Sequence, residues 1–248
     1  MSQQIILYDL PTRAPRRCWS LNPWKTRMLL NYKRLNYQTV WVEYPDVEAL
    51  IKPHTSSIAV CPRMLTAYPT QSLPFKCLAA NGLWTQERLQ SVLSSCTPEP
   101  ALNIATDPYL AEIKDLANRI AKIVSPDFIP KIANRVLGDE SLGYWHRTRE
   151  EWFGGQKLDK VVVEKGGTQV YQEAGPLVMR VTELLVSNPA GPYFQGRVVS
   201  YADFIWASLL HFFENLADDS FEMLIGSKPT CHVALLEACR LWLARNDH

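Results

Sequence analysis

Two stretches decide how the chain begins: Gln4-Ile5-Ile6-Leu7-Tyr8-Asp9-Leu10 and Tyr37-Gln38-Thr39-Val40-Trp41-Val42-Glu43. The first is a short apolar run stopped by Pro11, the pattern of a buried strand. The second alternates and is rich in β-branched and aromatic residues, which suit a pleated, half-buried surface. Between them Trp24, Met28, Leu29, Tyr32 and Leu35 recur at helical spacing. Asn22 before Pro23 predicts an N-cap with proline at the first helical position. Strand, helix and strand within about forty residues make a βαβ unit, whose strands run parallel through a right-handed crossover.

Beyond Asp107 the periodicity is helical. Tyr109, Leu110, Ile113, Leu116, Ala117, Ile120 and Val124 share a face, and further helices are predicted over 176–186, 203–216 and 231–244. Asn188-Pro189-Ala190-Gly191-Pro192 reads as a loop. Ser200-Tyr201-Ala202-Asp203 matches a capping box, with Ser200 accepting from an early N–H and Asp203 reaching back to the cap's own N–H.

Composition narrows the class. The 248 residues are 47% hydrophobic and 21% charged with a formal net charge of +1. That is ordinary for a globular protein and offers no basic field for nucleic acid or an anionic membrane. No apolar run approaches the ~18–20 residues of a spanning helix. The first thirty residues lack the apolar core of a signal peptide, so a cytoplasmic location is expected. Residues 1–57 carry a net +4 and residues 107–248 a net −4. A small basic domain that binds an anion, packed on a larger helical one, fits this asymmetry. Cys18, Cys61, Cys77, Cys96, Cys231 and Cys239 include no C-x-x-C pair, so no metal is expected and reduced thiols are.

A βαβ start followed by helices resembles the glutathione transferase fold. The blocks Trp19-Ser20-Leu21-Asn22-Pro23-Trp24-Lys25-Thr26-Arg27 and Trp41-Val42-Glu43-Tyr44-Pro45-Asp46 resemble the fungal etherase-related (serine) glutathione transferases. So do Arg147-Thr148-Arg149-Glu150-Glu151-Trp152-Phe153-Gly154 and Ser200-Tyr201-Ala202-Asp203-Phe204. That group is similar to the bacterial β-etherases that cleave lignin aryl ethers. The resemblance covers residues 4–53 and 139–248 well and 107–138 loosely. It implies an α/β N-terminal thioredoxin-like domain over 1–98, an all-α C-terminal domain over 107–248, and glutathione as co-substrate. It also implies a homodimer and a hydrophobic aromatic second substrate, as in detoxification or fungal secondary metabolism.

The chemistry asks for a thiolate, because the thiolate is the nucleophile. Lowering a thiol by about two units from ~8.5 requires roughly 2.7 kcal/mol of preferential stabilisation. A hydroxyl just ahead of a helix N-terminus suits this, since the dipole and unbonded N–H groups favour negative charge. Ser20 stands there, two residues before the expected Asn22 cap, and the resemblance makes it the counterpart of the catalytic serine. Asn22 can donate through its amide and Lys25 adds a positive charge, so both are expected to hold glutathione. Cys18, four residues before that cap and without a second cysteine at i+3, is expected to be a buried thiol rather than a nucleophile. Pro11, Tyr144, Trp145, Trp152 and Phe153 are candidates to line the second-substrate pocket. The alternative function is a binding protein of the same fold that holds aromatics without catalysis.

Residues 56–96 depart from the family pattern. The family has a strand beginning Leu-Pro, whose cis proline presents backbone to glutathione, then a helix opening on an acidic residue and Ser. Ser72-Leu73-Pro74 could supply the Leu-Pro step, which makes Pro74 a cofactor-binding candidate. Phe75-Lys76-Cys77-Leu78 is not the expected β-branched strand, and no acidic–Ser pair occurs between 56 and 95. Real divergence, or a frame or splice error in the gene, would produce this, and the abrupt flanks favour the error. A sheet left with two strands is marginal, and weak glutathione binding is the expected consequence.

Overall fold

The computed structural model describes residues 5–51, 75–78, 100–102, 104–216, 218–226 and 229–246. Strand β1 (Ile5–Asp9) lies between β2 (Tyr37–Trp41) and β3 (Phe75–Leu78), and both neighbours run parallel to it. In register, Leu7 stands opposite Thr39 on one side and Cys77 on the other. The expected βαβ unit is therefore present, with α1 (Leu21–Tyr32) as its crossover. The sheet itself corrects the sequence reading: residues 75–78 form a third strand despite lacking β-branched side chains. Pairing along an open edge of β1 overrides so weak a propensity. The rest of 56–96, with Pro74 and the proposed frame error, lies outside the described residues.

Helix α1 begins at Leu21 with Ser20 as its N-cap, not at Pro23 with Asn22 as cap. Ser20 has extended backbone, as a cap residue must. Pro23 falls third in the helix, where its missing N–H is one the helix cannot bond anyway. Leu35 lies beyond the helix end at Tyr32. A 3₁₀ turn over Tyr44–Asp46 and the short α2 (Val47–Ile51) follow β2.

The helical part comprises α3 (Leu110–Arg135), α4 (Asp139–Trp152), α5 (Leu158–Lys165), α6 (Thr168–Val186), α7 (Tyr201–Glu214), α8 (Ser220–Ile225) and α9 (Pro229–Leu243). The α3 face read from the sequence stops at Val124, and the helix runs on through Pro126 and Pro130. Pro126 cannot bond the Lys122 carbonyl, and the Ser125 hydroxyl donates to that oxygen instead, at 2.8 Å. Helix α6 likewise starts eight residues before the predicted 176, with Pro176 inside it. Its N-cap is Gly167 at φ +83°, a conformation that glycine adopts without steric cost. The Gly167 N–H donates to Asp127 Oδ1 at 3.0 Å, and Tyr171 and Lys131 donate to Asp127 Oδ2 at 2.8 and 2.6 Å. One buried carboxylate in α3 thus fixes where α6 begins.

Helix α7 is the central strut, buried along nearly its whole length and packed on α1, α3 and α9. Its capping box closes as the sequence predicts. Asp203 Oδ2 accepts from the Ser200 N–H at 2.7 Å and from its hydroxyl at 3.0 Å. Oδ1 accepts from the Phe194 N–H at 2.9 Å, which ties the 188–200 loop to the helix. No helix among the described residues is long and apolar enough to cross a membrane.

Candidate functional site

The site grows from the first turn of α1. That turn holds no acidic residue, so nothing there neutralises the positive end of the helix. The Ser20 carbonyl accepts from the Trp24 N–H at 3.2 Å and closes the turn, while the Ser20 hydroxyl caps no N–H of the helix. A serine at an N-cap ordinarily spends its oxygen on N2 or N3. Here Pro23 removes the N3 donor, and the hydroxyl is left over. Ser20 is 8% exposed.

Lys25 lies one turn on from Asn22, on the same side of the helix. Its Nζ donates to Asn22 Oδ1 at 3.1 Å. Lys25 as a whole is 8% exposed, and burial, with the charge of Lys114 on α3 second, brings its pKa down to about 8. A desolvated cation beside a helix N-terminus is arranged to receive an anion. The structure therefore places Ser20 at the N-cap of α1 with Asn22 and Lys25, hydrogen-bonded to each other, just after it. The amide of Asn22 is oriented by Lys25, an arrangement that spacing alone did not predict.

Beneath this turn sits an ion pair absent from the sequence reading. Arg27 Nε donates to Asp9 Oδ2 at 2.7 Å with both side chains fully buried, and a second guanidinium nitrogen donates to Thr39 Oγ1 at 2.9 Å. The Leu10 N–H donates to Asp9 Oδ1 at 2.7 Å. The pair joins β1, α1 and β2. Cys18 is buried against it, and burial, with the Asp9 charge second, pushes its thiol well up. A thiol held protonated is a poor nucleophile, so Cys18 has the inert role the sequence suggested. No group of three or more His, Cys, Asp or Glu side chains suited to a metal occurs among the described residues.

Trp19 leads from Ser20 toward the second-substrate candidates. Its ring packs edge-on to Trp145 at 6.1 Å between centroids and tilted against Phe212 at 6.2 Å. Trp145 meets Tyr44 at 5.3 Å, and Tyr44 stacks on Tyr144 at 5.8 Å. Tyr144 and Trp145 of α4 and Tyr44 of the 3₁₀ turn thus form one cluster, with Trp152 joining through Arg149. Phe153 is half-buried against the core, and Pro11 is buried and bridged to Cys18. Trp19 and Tyr44 were not among the sequence candidates. Helical spacing can group Trp145 with Arg149 and Trp152, but a partner a hundred residues away leaves no local signal.

Residues 114–223 match the family model of the glutathione S-transferase C-terminal domain. The glutathione S-transferase-like protein ustS of Aspergillus flavus is 27% identical over 221 residues, 78% of this chain and 74% of its own. Among solved structures, glutathione transferase GSTFuA3 from Phanerochaete chrysosporium superposes with a TM-score of 0.74 over 98% of both chains at 22% identity. A glutathione S-transferase of Ceriporiopsis subvermispora, solved in complex with glutathione, gives 0.75 over 97% of this chain and 98% of its own, also at 22% identity. A small parallel sheet joined to an all-helical part, the C-terminal domain match and these superpositions agree: the chain has the glutathione transferase fold.

Proposed function

We propose that the chain is a glutathione-dependent transferase of the etherase-related serine group, in which Ser20 holds the glutathione sulfur as a thiolate. The observation that carries this reading is the unspent Ser20 hydroxyl at an N-cap whose first turn has no acid, with a buried lysine just beyond it. Conjugation of glutathione to a hydrophobic aromatic electrophile, or thiolytic cleavage of an aryl ether, uses the same thiolate. In either case the sulfur attacks carbon and the leaving group departs with the bonding pair. Asn22, Lys25 and Pro74 are assigned to glutathione, and Pro11, Tyr144, Trp145, Trp152 and Phe153 to the second substrate. Residues 1–98 are the glutathione-site domain and 107–248 the helical one. The protein is proposed to act in the cytoplasm as a homodimer, on aromatics met in detoxification or fungal secondary metabolism.

The thiol is expected to titrate about two units below ~8.5 in the complex. A hydrogen bond to a charged group is worth about 1.5–3 kcal/mol, so Ser20→Ala should cost about 10- to 100-fold in kcat/KM toward an aryl halide. Ultraviolet titration of bound thiolate and steady-state rates at several glutathione concentrations read both effects. Full activity in the variant would remove the assignment. Calorimetry is expected to give a Kd above about 1 mM, because no acidic–Ser pair is available between 56 and 95 for the γ-glutamyl end. Tryptophan quenching by phenols that glutathione leaves unchanged, with no turnover, would favour the non-catalytic ligand-binding reading.

A further inference from the structure

The cluster around Tyr44 and Trp145 encloses a cation that pairs with no acid among the described residues. Arg149 is 5% exposed. Its guanidinium carbon lies 4.3 Å from the Trp145 ring centre, 4.0 Å from that of Trp152 and 5.4 Å from that of Tyr44. One nitrogen donates to Thr148 Oγ1 at 2.8 Å and the guanidinium also hydrogen-bonds the Tyr44 side chain, while Nε is buried with no hydrogen-bond partner. Among the described residues no carboxylate pairs with it. Glu150, next in sequence, holds Lys157 at 2.7 Å and faces His146 at 3.6 Å, and Glu43, beside Tyr44, accepts from the Ser141 hydroxyl at 2.6 Å.

The rings do not complete this group. They cover the faces of the guanidinium, while its N–H bonds lie in its plane. Cation–π contact stabilises the charge by about 0.5–2 kcal/mol but leaves the buried Nε–H unbonded, which costs about 1–3 kcal/mol. The missing partner is an anion that approaches in the plane, and a carboxylate matches the fork of an arginine. The walls around it are aromatic and flat. Trp152, the last residue of α4, is 64% exposed, so it can swing aside without opening the core.

We propose that Arg149 anchors the carboxylate of an aromatic acid whose ring lies among Tyr44, Trp145 and Trp152. This deepens the functional reading above and rests on it only in making that acid the second substrate. Trp19, next to Ser20, touches the anchor's Trp145 edge-on.

The test uses 4-hydroxycinnamate and its methyl ester, titrated into the full chain without glutathione and followed by tryptophan fluorescence and calorimetry. The acid is expected to bind at least tenfold more tightly than the ester. Raising salt from 50 to 500 mM should weaken the acid alone. Arg149→Gln should erase the difference, and Trp152→Ala, at an exposed position, should weaken both ligands severalfold with the fold intact. Equal binding of acid and ester to the unaltered chain overturns the proposal, as does a preference that survives in Arg149→Gln. If Arg149→Gln does not fold, the acid–ester ratio and its salt dependence in the unaltered chain decide. A parallel assay of glutathione-dependent turnover of an aryl halide separates the two readings, since no turnover with the acid preference intact sinks only the transferase assignment.

Discussion

Arg27 brings a full charge into the interior of the small sheet, and Asp9 is what makes that tolerable. Each is fully buried, and together they collect the Leu10 N–H and the Thr39 hydroxyl. Tyr37 and Trp41 rings lie 5.9 and 5.4 Å from the guanidinium, so the charge is enclosed on all sides. Removing one member of such a pair strands the other in a low-dielectric site, at about 3–5 kcal/mol. Arg27→Met is expected to lose stability of that size in guanidinium unfolding, and the double variant with Asp9→Asn to recover part of it. A loss below about 1 kcal/mol for Arg27→Met would show that the pair does not hold β1, α1 and β2 together. Cys18 depends on the same pair and should stay unreactive to thiol reagents until the sheet opens, because its thiol is buried and held protonated.

At the scale of elements, α6, α7 and α9 meet at His232. The Trp206 indole N–H donates to His232 Nδ1 at 3.0 Å, and Nε2 lies 2.9 Å from the Thr182 hydroxyl, which itself donates to the Val178 carbonyl at 3.0 Å. The ring is therefore neutral with its proton on Nε2, and burial brings its pKa from 6.5 down to about 4. Because the folded value lies below the unfolded one, the stability it contributes is complete above pH 6.5 and is lost as pH falls toward 4. That loss is on the order of 3 kcal/mol. Asp203, raised to about 7 chiefly by burial, acts in the opposite sense over the same window, so the informative quantity is a difference between proteins. His232→Leu should be less stable at pH 7 and should lack this part of the fall between pH 6.5 and 4 in urea melts. Parallel slopes for both proteins would rule the device out. Patterns of this kind explain what the sequence could show. The alternation of Tyr37–Glu43, the α1 stripe and the Ser200–Asp203 box are local, and each reappears in the structure. The cap shift from Asn22 to Ser20 was hidden because proline is acceptable anywhere in a first turn. The third strand was hidden because its partner lies some seventy residues away. Asp127, Arg149 and His232 declare themselves only through neighbours that the fold brings together.

Across the whole molecule, the end of the chain returns to its beginning. Past α9, the Arg245 guanidinium covers the Tyr37 ring at 3.8 Å and donates to the Tyr37 carbonyl, and the Asn246 carbonyl accepts from the Cys18 N–H at 2.8 Å. Asn31 of α1 donates to the Trp242 carbonyl at 2.7 Å and accepts from the Tyr37 hydroxyl at 2.9 Å. The contacts reach Cys18, two residues before Ser20, so the last residues brace the segment that sets the proposed thiolate donor against α1. Two hydrogen bonds and a cation–π contact together amount to about 2–3 kcal/mol. Deleting residues 245–248 is therefore expected to lower Tm by about 5–10 °C in calorimetry. It should also weaken glutathione severalfold, because the extended backbone from Cys18 to Ser20 loses its outer hydrogen bond while the Asp9–Arg27 pair beneath stays in place. An unchanged Tm would mean the strap contributes nothing to the fold. A lowered Tm with unaltered glutathione affinity would place Ser20 under the control of α1 alone, with the helix cap sufficient to fix its hydroxyl.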